Sequence, residues 1–383
     1  MNVIQPQTVD DVQACVRGHG GATGRRGPLR VAAGRTKTAL VGSGAEASWI
    51  DMSALAGIRE YQPQECTFTA LAGTRIVDIE ARLAEHGHYL PFDPPFGPRG
   101  STIGGTVASA LSGPARYRYG GIRDFLLGVR VVDGEGRLIR GGGRVVKNAA
   151  GFYLHHLVLG SLGRLGVITE VTCKVFPAPL AQATVMADYA SFDALLRQVA
   201  ELRRTAFEIE SLEIAPPGRL FVRLGGVRAA LAARLEGLSA FLRQAATSVL
   251  ELGPDDDRDL WRDARELTWA GDLVDGASLV KVATTPGALA RLEPRLATID
   301  PRRRYGVGGE VAWIVWESPL AALDAMLSEL GLAGMTITGE SSPDLTLGPN
   351  LGPYLGVRPD AAFLARVTQT FDPRGVFAAS PHT

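Results

Sequence analysis

Residues 98–109, PRGSTIGGTVAS, followed by Gly113-Pro114, are of types that can bind an anion. Gly100, Gly104 and Gly105 lack a Cβ and can take positive φ, so the main chain can press its N–H groups against a charged ligand while Ser101 and Thr102 add hydroxyls. The pattern predicts a turn that forms an anion nest. It contains neither GKS/GKT nor GxGxxG, which argues against a P-loop nucleotide or a Rossmann dinucleotide. Two further small-residue stretches, AAGRTKT at 32–38 and GSLGRLGVI at 160–168, would let three glycine-containing segments meet on one elongated ligand with a diphosphate. VGSGAEA at 41–47 fits GxGxxA, but no helix has room to follow before the strand-like SWIDMS, so it reads as a turn.

The elements that must position these loops fall into two textures. Thr8 and Asp11 form a capping-box-like start to a helix through VQACVRG. Short β-like runs follow at 29–34, 48–53 and 66–73, with a helix over IVDIEARLAEHG that stops at Gly87. FLLGVRVVDGEGRLIRGGG predicts a hairpin about Asp133-Gly134, and LGRLGVITEVTCKVFP a further pair of strands. Residues 1–178 thus read as one α+β unit. From Ala183 strands and helices alternate, giving a second, α/β domain over 179–345, and 346–383 form a helix and turn that pack back on the first domain.

Composition narrows the function classes. The 383 residues carry 40 Lys+Arg and 40 Asp+Glu, mixed along the chain, so no basic footprint for nucleic acid is present. The start has no basic and apolar leader pattern and no run of 18 apolar residues occurs, which predicts a cytoplasmic protein. Cys15, Cys66 and Cys173 lie far apart with no CxxC, so an iron–sulfur centre would have to sit in a partner. The adjacent His155 and His156 read as core or solvent residues rather than metal ligands, and no metal is expected. Trp313 and Trp316 in VAWIVW predict core packing for at least one of the pair.

PFDPPFGPRGSTIGGTVASALSGPARYRYGGIRDFLLGVRVVDGEG, continued by VVKNAAGFYLHHLVLGSLGRLGVITEVTCKVFP, resembles the FAD-binding subunits of bacterial glycolate oxidase, within the vanillyl-alcohol-oxidase-like, PCMH-type flavoprotein superfamily. The resemblance implies an α+β fold with a two-part FAD domain, an α/β cap over the flavin ring and a C-terminal FDPRGVF returning to the flavin side. It places Ala33, Gly34, Arg35, Thr36 and Lys37 in a first pyrophosphate loop and Ser101, Thr102, Gly104, Gly105 and Ser109 in a second. Gly113, Arg123 and Asp124 would be ribityl and ring contacts, Gly166, Val167 and Ile168 would wrap the adenine end, and Asn148 would lie near the flavin. Lys147 and Arg123 are the expected catalytic residues, with Lys147 setting positive charge beside the reduced ring.

Departures from the family refine this. Arg35 stands where many members carry a flavin-linking histidine, which implies FAD held non-covalently. Phe152 and Tyr153 replace the usual GYD, and Ala378 the usual Asn after FDPRGVF. The GDGNxH-type histidine motif of the cap is missing. The implied activity is oxidation of glycolate, a small 2-hydroxy acid, to glyoxylate, with electrons passing through an iron–sulfur subunit and a second FAD-containing subunit that owns the histidine motif. The complex would allow peripheral membrane association. Two alternatives stand beside it: an electron-relay or structural FAD subunit, and a stand-alone FAD oxidoreductase on another alcohol or 2-hydroxy acid.

Overall fold

A computed structural model describes residues 2–19, 28–41, 48–143, 154–274, 276–339, 353–358 and 360–377. The N-terminal region opens on a parallel three-stranded sheet in the order Val3–Ile4, Ser48–Asp51, Leu29–Ala32. Helix Val9–Arg17 packs on it. Its capping box is complete, with Thr8 Oγ1 accepting the Asp11 N–H and the Asp11 carboxylate accepting the Thr8 N–H. Val12 and Val16, four apart and therefore on one face, are fully buried against Leu29 and Ile50. Each such side chain contributes about 1.5–3 kcal/mol by leaving water.

A second, antiparallel sheet orders its strands Ile58–Gln62, Thr67–Leu71, Val167–Lys174, Leu126–Val132, Leu138–Gly142. The expected hairpin is its last pair, and the buried Asp133 carboxylate closes the turn by accepting the Glu135 and Arg137 N–H groups. The stretch 165–177 departs from two comparable strands. It is one eight-residue strand and a two-residue one, Phe176–Pro177, because Val175 turns into the core under helix Ile76–Ala84.

The remainder forms a nine-stranded sheet: Ser248–Glu251, Ala181–Asp188, Arg219–Gly226, Ile209–Ala215, Arg303–Gly306, Val311–Trp316, Ser278–Ala283, Ala333–Gly339, Tyr354–Gly356. Strands and helices alternate in sequence, yet every pairing is antiparallel. Helices Phe192–Leu202, Arg228–Leu242, Pro286–Ala297 and Leu320–Leu330 cover one face with a leucine-rich core. The other face lies on the N-terminal domain. Period-two alternation sends Ala312, Ile314 and Trp316 to the helices and Val311, Trp313 and Val315 to that domain, so the two tryptophans, an odd number of residues apart, enter different cores.

Two devices tie the cap to the first domain. Arg265, at the end of cap helix Pro254–Glu266, pairs with Glu80 of helix Ile76–Ala84 at 2.9 Å. After helix Ala361–Phe371 the chain returns: Gly134 N donates to Phe371 O, Leu29 N donates to Val376 O, and the Asp372 carboxylate accepts the amides of Val376 and Phe377. The turn reading of 41–47, with Phe152, Tyr153 and Ala378, lies outside the described residues apart from Val41, which ends helix Thr38–Val41.

Candidate functional site: a glycine-lined cleft

The three glycine segments converge. One cleft, of about 760 Å3 of non-protein space including its open side, is lined by Ala33, Gly34, Arg35, Thr36 and Lys37, by Thr102, Gly104, Gly105 and Ser109, and by Leu162, Gly163, Gly166 and Ile168. Leu40, Met52, Ala72 and Ala108 complete its wall. No sequence signal singled these four out, since they are ordinary apolar residues that adjoin the loops only in space.

The second loop differs from the predicted turn. Residues Ile103–Ser109 are a short helix capped by Thr102, whose Oγ1 accepts the Gly105 N–H at 3.3 Å. Gly100 alone of the three glycines has positive φ, +97°. Gly104 is glycine for another reason: a Cβ there would lie 2.7 Å from the Ala72 Cβ and 2.8 Å from its carbonyl oxygen. The amides expected to grip the anion are already engaged, Ser101 with Phe96 O, Ile103 with Thr74 O and Gly104 with Ala72 O.

The first loop holds the free donors. Arg35 has φ +48°, a left-handed turn that points successive amides the same way, and among the described residues the amides of Gly34, Arg35, Thr36 and Lys37 have no backbone partner. Gly34 lets the loop lie on the second one, because a Cβ would stand 1.9 Å from the Gly100 carbonyl oxygen. Arg35 is exposed and its guanidinium stacks over Trp49 at 5.2 Å.

Lys37 supplies the charge. It is 7% exposed, and its ammonium donates to Ser101 Oγ at 2.9 Å and Thr36 Oγ1 at 3.2 Å, over the Phe96 ring at 5.6 Å. Burial pushes it down to about 8, with Arg99 adding to the fall and Glu266 of the cap opposing it. A buried ammonium bonded only to hydroxyls is under-compensated, so a diphosphate beside it would relieve the desolvation cost. Unpartnered amides, a buried cation and glycines packed to contact fit the pyrophosphate of FAD.

Other expected site residues fall elsewhere. Ser101 is buried behind the loop as the Lys37 acceptor. Val167 points into the core between Gly166 and Ile168. Gly113 lines a separate, interdomain cavity. Arg123 and Asp124 are exposed on the short helix Ile122–Phe125 and do not reach the cleft; the Asp124 carboxylate instead accepts the Gly121 N–H at 2.9 Å. The hydrophobic members of that helix, Ile122 and Phe125, face the core and so turn the charged pair outward. Lys147 and Asn148 lie outside the described residues. The rings of His155 and His156 are 4.3 Å apart, and burial holds both imidazoles below their ordinary value, which favours the neutral form. Among the described residues no three His, Cys, Asp or Glu side chains gather as a metal site.

Fold and cleft together are those of a PCMH-type FAD-binding domain. Residues 2–142 match the FAD binding domain family. Among curated relatives, glycolate oxidase subunit GlcE of Escherichia coli strain K12 is 38% identical over 179 residues, 47% of this chain and 51% of GlcE. Glycolate oxidase subunit GlcD of Bacillus subtilis strain 168 is 34% identical over 145 residues, 38% of this chain and 31% of GlcD. The matched region thus spans about half of the first relative and under a third of the second. A solved alkyldihydroxyacetonephosphate synthase shares the fold over 98% of this chain and 75% of its own, with a TM-score of 0.66 at 14% identity.

Proposed function

We propose that the chain is the FAD-carrying subunit of a glycolate oxidase complex, acting in the oxidation of glycolate to glyoxylate. The observation that carries the reading is the cradle itself: free amides at 34–37 beside the buried Lys37, in a domain whose family binds FAD. Its relatives named as glycolate oxidase subunits supply the substrate class and the multi-subunit setting.

In this reading the amides of the first loop and Lys37 hold the diphosphate, and Gly104, Gly105 and Ser109 leave room for the chain beyond it. Arg35, in place of a linking histidine, leaves the FAD non-covalent. Bound FAD would supply a two-electron acceptor that can hand electrons on singly. Lys147 and Asn148 belong near the flavin ring, with Lys147 setting its charge. A second FAD subunit and an iron–sulfur subunit take part, since the three cysteines, all free thiols, are too few for a four-thiolate cluster. Among the described residues no helix is long and apolar enough to cross a membrane; a cytoplasmic location and membrane association through the complex are part of the proposal.

The exterior position of Arg123 favours a second reading, in which this subunit relays electrons and a sister subunit performs the chemistry. Gentle purification of the tagged chain tests the first: a yellow chain accompanied by a second flavoprotein and a cluster-bearing protein is expected, and a chain that stays colourless after soaking in FAD overturns it. Lys147→Met separates the two readings, since full turnover of the assembled complex selects the relay.

A further inference from the structure

The stretch 93–100, which leads into the second loop of the cleft, is held from the cap side. Asp93 and Phe96 lie in it at φ +45° and +65°, a left-handed conformation that costs non-glycine residues energy and persists only where the surroundings enforce it. Arg265 and Glu266, the last two residues of cap helix Pro254–Glu266, press on this turn. Arg265 grips Glu80 of the first domain through two nitrogens, Nη1 to Oε1 at 2.9 Å and Nη2 to Oε2 at 3.0 Å. The same Nη2 lies so near Gly97 that a Cβ there would stand 3.2 Å from it. Arg265 Nε donates to Glu266 Oε1 at 2.9 Å, and Leu267, next in the chain, packs in the same core as Phe96.

A line of contacts runs from Glu266 to the cradle. Its carboxylate faces the Phe96 N–H, the Phe96 carbonyl accepts the Ser101 N–H at 3.0 Å, and Ser101 Oγ accepts the Lys37 ammonium at 2.9 Å. The fully buried Phe96 ring lies 5.6 Å from that ammonium. Glu266 is 5% exposed, and its Oε2 is buried with no hydrogen-bond partner. Among the described residues Lys37 has hydroxyl partners but no carboxylate at ion-pair distance, and Glu266 is the anion that opposes the effect of its burial. A carboxylate oxygen short of a donor and an ammonium short of an anion thus share one buried junction, where a low dielectric carries their attraction beyond contact. The charged groups facing the pair are Arg99 at Lys37, Arg265 and Glu80 at Glu266, and Asp93 at Arg265, with Arg223 facing Asp93. Burial raises the Glu266 carboxyl; Arg265 opposes the rise and Glu80 adds to it.

We propose that Glu266 is a positioning residue for the cofactor cradle, supplied by the cap: it steadies the Phe96 turn and lends Lys37 a counter-charge, so the first domain grips a diphosphate in full only with the cap seated. Glu266 does not touch the cofactor and acts through Lys37. A carboxylate near a buried ammonium keeps it charged to higher pH, and the charged form is the one that binds a diphosphate strongly. The Arg265–Glu80 pair supplies the seat, because undocking would leave Glu80 beside Asp93 without this cation. The inference deepens the FAD reading and rests on it for the ligand.

The test compares the full chain with Glu266→Gln, Glu266→Asp, Lys37→Met and the double variant Glu266→Gln/Lys37→Met. FAD affinity is read by flavin fluorescence from about pH 6 to about pH 9. The titration of Lys37 in the flavin-free chain is read by NMR of isotope-labelled lysine, its signal identified by its loss in Lys37→Met. Expected in Glu266→Gln is an affinity close to that of the unaltered chain at about pH 6 and about three- to tenfold weaker at about pH 8, because loss of the carboxylate moves the Lys37 midpoint down. Glu266→Asp restores part of the affinity, and Glu266→Gln adds no pH-dependent loss in the Lys37→Met background. If Glu266→Gln does not fold, Glu266→Asp, which withdraws the charge by one methylene, must still lower the Lys37 midpoint by a smaller amount. Equal weakening at every pH, an unmoved Lys37 midpoint, or a pH-dependent loss that persists in the double variant overturns the inference. A chain that binds FAD with its Lys37 midpoint unmoved by Glu266→Gln sinks this inference alone, whereas a chain whose midpoint falls but which takes no FAD sinks the cofactor reading.

Discussion

The cleft of the first domain and the inner face of the cap both keep charge away from water, with opposite materials. The cleft uses main chain and the absence of side chains: Gly34 against Gly100, Gly104 against Ala72, free amides at 34–37, and one buried cation. The cap face uses side chains set by strand alternation and register: Arg304, Trp313 and Lys281 across three strands, with Glu213 beside them. Backbone sites tolerate no added atoms. Side-chain sites tolerate shape changes but are sensitive to charge.

That contrast can be broken most forcefully at Gly34. Gly34→Ala sets a Cβ against backbone that cannot rotate away, so the two loops must part; loss of nearly all bound FAD is expected, read from the flavin-to-protein absorbance ratio. Trp316→Ala, in the helix-covered core, should cost about 3–5 kcal/mol in urea unfolding and leave the FAD content of the folded fraction unchanged. If it strips the flavin instead, the two regions are not separable.

Lys37→Met should weaken FAD by about 10- to 100-fold, equivalent to about 1.5–3 kcal/mol for a charge-assisted contact, measured by flavin fluorescence titration. Its pH dependence sharpens the point. With its ammonium pushed down to about 8 from 10.5, the folded apo chain binds fewer protons than the unfolded one between those values. Apo stability therefore rises with pH across this window while FAD affinity falls, and both trends should vanish in the variant.

Glu213 gives the opposite slope. Its carboxyl is raised from 4.5 to about 7, so the stability it lends is complete below 4.5 and is lost as pH rises through 7. Glu213→Gln should flatten that decline by on the order of 1–2 kcal/mol in denaturant melts at pH 5 and pH 8. Smallest of all, Thr8→Ala removes the capping hydrogen bond to Asp11 and should cost about 1 kcal/mol in denaturant unfolding without touching either site.

Sequence pattern was a good guide where one residue type has one physical meaning. The Thr8–Asp11 box, the hairpin about Asp133 and the glycine content of the cleft all emerge at their positions. It misled at 101–105, where glycines suited to a nest instead let a helix press on Ala72, because an acceptor supplied by residues thirty positions away leaves no local trace. AAGRTKT, one of the two further stretches, is the loop with free amides. Arg123 and Asp124 matched by position yet face outward, since helix periodicity buries Ile122 and Phe125.

The order of elements, the two-domain division of texture and the small-residue loops follow from this chain's local chemistry alone. Which amides stay unpaired, why Gly104 must lack a side chain, and that Arg304, Trp313, Lys281 and Glu213 share one buried face were decided only by tertiary structure. The physical reason is that hydrogen-bond satisfaction, close packing and strand register are properties of pairs distant in sequence, whereas propensity and capping are properties of neighbours.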